Sequence, residues 1–153
     1  MSGSPCTLRP TTASDLPVLF AQQNEPGAAE MVGFTPRDWP AFEAHWTKLI
    51  ANPELWTQTV EVDGQVAGYV LAYETDGAWE IGYWLGRAFW GRGLATAAAQ
   101  AFLTLMEARP VRAHVVAHNI GSIRVLEKCG FQHCGIVRGE DGRLDEVVLL
   151  LEA

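Results

Sequence analysis

Most of the residues that could do chemistry in this chain fall between Trp79 and Phe131. Gly91-Arg92-Gly93-Leu94-Ala95 sets small residues at every second position, directly before an apolar, alanine-rich run. A glycine-rich turn that opens a helix gathers unpaired backbone N–H groups, and the helix dipole adds positive potential there. The missing side chains at Gly91, Gly93 and Ala95 let phosphate oxygens reach the backbone. No Gly-Lys-Ser/Thr follows, so the turn is not that of a P-loop nucleotidase. It is not a dinucleotide fingerprint either, because Thr96 stands in the third glycine's place. Arg87 and Arg92 flank the turn and can add charge, although an arginine taken singly is more often a solvated surface residue.

The residues just before the turn, Trp79 to Leu85, read as a strand. Alternation puts Glu80, Gly82 and Trp84 on one face, and Trp79, Ile81, Tyr83 and Leu85 on the other. A glycine among such bulky neighbours predicts a bulge or a close backbone approach. A bulge or a splayed edge here leaves N–H and C=O groups free for an extended, amide-bearing ligand. The competing explanation is that Gly82 only relieves crowding between tryptophans. The histidines, His45, His114, His118 and His133, lack the local spacing of a metal site, so no metal is expected. No Ser-His-Asp or Cys-His arrangement shows in the local sequence.

The elements that must position these residues follow from turn and cap signals. Cys6 to Arg9 is a candidate first strand. Ser14-Asp15 reads as a helix start ahead of Leu16, Val18, Leu19 and Phe20, and Asn24 to Gly33 as a loop. Thr35-Pro36-Arg37-Asp38 reads as a second start, with Thr35 as cap and proline in the first helical position; Asn52-Pro53 ends that helix. Three strands follow: Leu55 to Val62, Gln65 to Tyr73 and Trp79 to Leu85, separated by Asp63-Gly64 and Asp76-Gly77. Leu94 to Ala108 is a core-facing helix stopped by Arg109-Pro110. Val111 to Val116 is a strand, and Asn119 caps a helix that Gly130 closes. Phe131 to Val137 and Leu144 to Leu151 form a last hairpin. The pattern is α+β, a mixed, mostly antiparallel sheet of about seven strands flanked by about four helices.

The chain of 153 residues fits one domain, residues 1–153, large enough for a core. A net charge of −7 argues against a nucleic-acid partner and is compatible with a cationic acceptor such as an amine. No apolar run approaches the length of a membrane span, so no membrane partner is expected. Three cysteines without metal-type spacing, and no basic-then-apolar N-terminal segment, lead us to expect a cytoplasmic protein.

Taken together, Ile81-Gly82-Tyr83-Trp84, then Gly91-x-Gly93-x-Ala95, then Asn119-x-x-Ser122-x-Arg124-Val125-Leu126-Glu127-Lys128-x-Gly130-Phe131, resemble the GNAT N-acetyltransferase superfamily. The closest likeness is to its ribosomal-protein N-terminal acetyltransferases, the RimJ/RimL type. The resemblance covers nearly the whole chain in element order, and Trp79 to Phe131 in motif detail.

It implies acetyl-CoA as cosubstrate, with no metal. The pyrophosphate would lie on the backbone amides of Trp90, Gly91, Arg92, Gly93, Leu94 and Ala95. The pantetheine would pair with the backbone of Ile81, Gly82, Tyr83, Trp84 and Leu85, in a V-shaped gap beside Val111–Val116. Asn119 would hydrogen-bond the pantetheine, and Ser122 and Arg124 belong to the same motif and the same cofactor site. A primary amine, of a peptide or protein N-terminus or a small molecule, would attack the thioester directly. Glu80, which matches an acidic position of this branch, is the candidate proton acceptor; His118, beside Asn119, is the second. Two residues depart from the superfamily pattern. Trp90 replaces the usual Gln or Arg, and Leu126 replaces the tyrosine that protonates the leaving thiolate, which leaves Ser122 as the candidate donor. That departure keeps alive an alternative, a CoA-binding regulatory or interaction module without catalysis. The amine site is expected from the early helices, the Asn24–Phe34 loop and the last hairpin, with Glu25, Glu30, Trp46 and Glu140 as contributors. The oligomeric form is a monomer or a homodimer.

Overall fold

The structure is a computed structural model that describes residues 5–28 and 36–153. Seven strands form one sheet: β1 (Thr7–Pro10), β2 (Trp56–Val62), β3 (Gln65–Thr75), β4 (Ala78–Leu85), β5 (Val111–Val116), β6 (Gln132–Val137) and β7 (Glu146–Leu151). Their spatial order is β1-β2-β3-β4-β5-β7-β6. All neighbours are antiparallel except β4 and β5, which run parallel. Four α-helices of more than one turn accompany them among the described residues: α1 (Leu16–Gln23), α2 (Trp39–Ala51), α3 (Leu94–Leu105) and α4 (Ile120–Lys128). The α+β expectation of a mixed, mostly antiparallel sheet therefore holds. None of these helices is long and apolar enough to cross a membrane.

Hairpin chemistry explains the β2–β3–β4 meander. Asp63-Gly64 and Asp76-Gly77 all adopt positive φ, the primed-turn geometry whose twist matches that of the flanking strands. The β5 connection differs because a parallel neighbour needs a crossover, and α3 supplies it. α3 ends at Leu105, short of the expected Ala108. The physical reason is Arg109: its guanidinium donates to the carbonyls of Leu103, Met106 and Ala108, satisfying groups a helix end leaves open. α2 also starts later than expected. Its cap is Asp38, which accepts from the Ala41 N–H at 3.0 Å, and Pro40 takes the early helical position. The expected cap Thr35, Glu30 and most of the Asn24–Phe34 loop lie outside the described residues. Between β1 and α1, a short 3-10 turn (Ala13–Asp15) precedes the expected helix.

Each face of the sheet has its own core. Val70, Ala72, Ile81, Leu85, Val111 and Ala113 pack under Phe102 of α3 and Leu126 of α4. The opposite face holds Leu16 and Leu19 of α1 against Phe42 and Trp46 of α2, with Tyr69 and Leu71 beneath. Phe20 meets Trp39 and Phe42 edge-on at 5.3 Å, a favoured aromatic geometry.

One buried charge ties α1 to the sheet. The Asp15 carboxylate accepts two bonds from Arg9 at 2.8 and 2.7 Å, one from the Thr12 N–H and one from the Thr59 hydroxyl. Burial pushes the Asp15 carboxyl up, but these donors outweigh it and hold it down at about 2. A carboxylate depressed on folding contributes stability that is present above its unfolded value of about 4 and lost as pH falls through its folded value. Asp15→Ala should therefore cost about 3 kcal/mol at pH 7 by leaving the buried donors unpaired. The difference from the parent should shrink as pH falls from about 4 toward 2. Urea unfolding across that range checks this, and a loss below about 1 kcal/mol at pH 7 contradicts it.

Candidate functional site

β4 and β5 pair at only two rungs, Trp79 with Val111 and Glu80 with Arg112. Beyond Glu80 the two strands share no ladder, while β4 stays in continuous register with β3 through Leu85. The expected opening at Gly82 is therefore a splay and not a bulge. A Cβ at Gly82 would meet nothing closer than Leu71 Cδ1 at 3.6 Å, an ordinary contact, so tryptophan crowding does not require glycine there.

Glu80 sits at the apex of the gap. Its Oε1 accepts from Arg112 Nε at 3.1 Å, and its Oε2 from the His114 backbone N–H at 3.1 Å. Oε2 also lies 2.7 Å from His114 Nδ1. A carboxylate thus takes the β5 donor that comes after the last rung. Glu80 itself is buried and does not line the groove; His114 does.

The groove below this apex has a volume of about 500 Å³. Its first wall is β4 from Ile81 to Leu85. Its second is β5 from Ala113 to Val116, with Glu146 of β7 beside it. At one end lies the glycine turn. Gly91 and Gly93 both have φ near +74°, 74 and 73, where side chains are strained, and a Cβ on either would point into open space. Gly93 is the N-cap of α3 and no side chain caps the helix, so its first-turn N–H groups are left for a ligand. Leu94, Ala95 and Thr96 line the groove at this point. Alternating left-handed glycines followed by a helix start make a concave anion site.

The flanking side chains have other tasks. Arg87 Nη1 donates to the Pro26 carbonyl at 2.7 Å, and the Arg87 N–H donates to Glu25 Oε1 at 2.9 Å. Arg87 thus ties the turn to the end of α1 and does not face the groove. The Arg92 guanidinium lies over the Phe89 ring, 5.9 Å from its centre, and is not among the lining residues. Trp90 lines the groove, with its indole N–H donated to the Leu85 carbonyl at 2.8 Å and its ring edge-on to Trp84 at 5.7 Å.

At the α4 end, the Asn119 side chain caps the helix by accepting from the Ser122 N–H at 3.2 Å, as its position predicts. The Ser122 hydroxyl lies 2.7 Å from the Tyr83 phenol. Burial pushes the Tyr83 phenol up to about 12, against the lowering effect of that hydrogen bond. Leu126 is fully buried and offers no polar group. The Tyr83–Ser122 pair therefore carries the hydroxyls on this wall. Arg124 and Lys128 also line it.

The structure brings Ile81, Gly82, Tyr83, Trp84, Leu85, Trp90, Gly91, Gly93, Leu94, Ala95, Asn119, Ser122 and Arg124 to one groove. It leaves Arg92, Glu80 and His118 out of the lining; His118 is exposed in the turn between β5 and α4. Among the lining residues that sequence reasoning passed over is His114. Alternation puts it on one face with Arg112, but only the two-rung parallel register sets that face against Glu80.

Residues 6–132 match the family model described as the acetyltransferase (GNAT) domain. The chain belongs to the GNAT acetyltransferase family. A curated relative, "Uncharacterized N-acetyltransferase p20" of Bacillus licheniformis, is 29% identical over 94% of this chain and 89% of its own length. The spermidine N-acetyltransferase of Vibrio cholerae, solved with CoA and spermine, superposes with a TM-score of 0.85 at 21% identity, covering 98% of this chain and 96% of that one. Aminoglycoside acetyltransferase AAC(6')-Ib, solved with coenzyme A, gives a TM-score of 0.80 at 23% identity, covering 96% and 94%. At such identities these two likenesses concern the GNAT fold.

The apex makes a stability prediction. Glu80→Ala leaves Arg112 and the His114 N–H without their acceptor and should cost about 2–3 kcal/mol, whereas Glu80→Gln keeps one acceptor oxygen and should cost about 1. Urea unfolding of both variants measures this, and equal losses would contradict the role given to the carboxylate.

Proposed function

We propose that this GNAT domain transfers an acetyl group from acetyl-CoA to a primary amine, by direct attack within a ternary complex. One observation carries the reading: an unpaired strand edge at Ile81–Leu85 leads, within a single groove, to an uncapped helix start at Gly93. The first suits an amide-bearing chain and the second a pyrophosphate, which are the two ends of CoA. The open space where Cβ atoms of Gly91 and Gly93 would stand is the cradle such a phosphate needs.

In this reading the backbone amides of Gly91 to Ala95 hold the pyrophosphate, Arg92 contributing through its backbone; the Trp90 N–H, expected to join them, is instead donated to the Arg87 carbonyl at 3.1 Å. The edge of β4 and Asn119 orient the pantetheine, and Arg124 adds charge at the α4 wall. A backbone N–H near Gly82 or Tyr83 stabilises charge on the thioester oxygen during attack. The Ser122 hydroxyl hydrogen-bonds the leaving sulfur, a thiolate that departs readily near neutral pH. Glu80 is the candidate proton acceptor that the family likeness puts forward, and His118, beside Asn119, is the second candidate; both Glu80 oxygens are engaged by Arg112 and His114. The finer RimJ/RimL likeness favours a peptide or protein N-terminus as acceptor. A small polycation is the second choice; the net charge of −7 supports either. A non-catalytic CoA-binding module is the second reading, since Leu126 supplies no acid. The Tyr83–Ser122 pair weighs against it by putting hydroxyls on the same wall.

Mixing the protein with acetyl-CoA and an amine panel that includes N-terminal peptides and polyamines should release thiol. Tight CoA binding without release for any amine would instead establish the module reading. Gly93→Val should weaken CoA binding at least about ten-fold by calorimetry, a loss of about 1.4 kcal/mol, while the fold is retained by circular dichroism. Unchanged affinity would remove the glycine turn from the site.

A further inference from the structure

Resting on the acetyl-transfer reading, we propose that His114 Nε2 is the atom that takes the proton from the acceptor ammonium, and that Glu80 is the residue that positions it. Glu80 has no free side toward the groove. Its Oε1 is engaged by Arg112, and its Oε2 by the His114 N–H and ring Nδ1. An ionised carboxylate only accepts, so the bond at Nδ1 requires the proton to be on Nδ1. The neutral imidazole then carries its lone pair on Nε2, which forms no hydrogen bond within the described residues. The His114 side chain is one-third exposed and the residue lines the groove, whereas Glu80 lies beneath it.

The two faces of the sheet supply a direction. Glu80, Arg112 and His114 stand on the α1–α2 face, in line with Leu71 and Tyr69. Tyr83 and Ser122 stand on the α4 face. A thioester held in the gap between β4 and β5 would have the imidazole on one side and the hydroxyl pair on the other. The amine would then enter from the α1–α2 face. The ammonium gives one proton to Nε2, leaving a neutral amine and an imidazolium. The amine nitrogen bonds to the thioester carbon and the C–S bond breaks. The nitrogen's surplus proton goes to the departing sulfur, and the imidazolium returns its proton to solvent. The charged and titratable groups around His114 are Glu80 of β4, Arg112 of β5, Tyr73 of β3 opposite Glu80, and Glu146 of β7 opposite Val116.

An imidazole is charged and useless as a base at low pH, so kcat/KM of the parent should fall on the acid side of its pH profile. His114→Ala should lower kcat about 10²-fold or more, lose that limb, regain rate when imidazole is added to the buffer, and bind CoA like the parent. Glu80→Gln should slow turnover less. NMR of the ring nitrogens supplies a readout independent of activity. The His114 signals, assigned by their loss in His114→Ala, should show the proton on Nδ1 in the parent and a shift of population toward Nε2–H in Glu80→Gln. Release that survives His114→Ala within about two-fold and with an unchanged pH profile overturns this inference alone. So does a parent ring protonated on Nε2. Absence of thiol release from the parent with every amine overturns the transfer reading, and this inference with it.

Discussion

The Glu80 carboxylate at the point where β4 and β5 part is the interaction on which the site depends. A parallel pair would normally continue its ladder, and a continued ladder would close the groove. Here β5 still has a donor to satisfy after the last rung, the His114 N–H, and Glu80 satisfies it with a side chain. The neighbouring Arg112 guanidinium donates to the carboxylate and also to the Thr75 carbonyl, so the apex is tied to β3 as well. With that donor met, β4 can leave its own edge open from Ile81 onward.

The second constraint is the left-handed backbone at Gly91 and Gly93. It turns the chain from the end of β4 into α3 with no capping side chain, so the helix start points its N–H groups into the same groove. A side chain in place of Gly93 would be strained at this positive φ and would stand in the open space where an anion must sit. The aromatic residues before the turn stiffen it: Trp90 is held by the Leu85 carbonyl and by Trp84, and Trp84 in turn donates to the Gln22 carbonyl of α1 at 3.3 Å. α1 and the residues that follow it thereby brace the turn through Gln22, Glu25 and Pro26.

Much of this was legible in the sequence because it is local. Asp63-Gly64 and Asp76-Gly77 announce their turns through their own backbone preferences, and Asn119 announces α4 by capping it three residues on. The glycine turn and the alternation of β4 are equally local. What escaped depends on partners distant in sequence. The His114–Glu80 contact spans 34 residues and exists only in one parallel register. The Tyr83–Ser122 contact spans 39, and Arg87 looked available for phosphate until Glu25 and Pro26 were found to claim it. Glu80 was correctly placed on a face with Gly82, but alternation does not say that its oxygens are already engaged.

A titration of CoA into the 15N-labelled protein, followed by backbone amide shifts, tests the central claim most directly. The account requires the largest changes at the amides of Gly91 to Thr96 and along Gly82 to Leu85, with the Asp15 and Thr59 amides on the far side of the fold unmoved. Changes confined to other surfaces, or none at millimolar CoA, would contradict it.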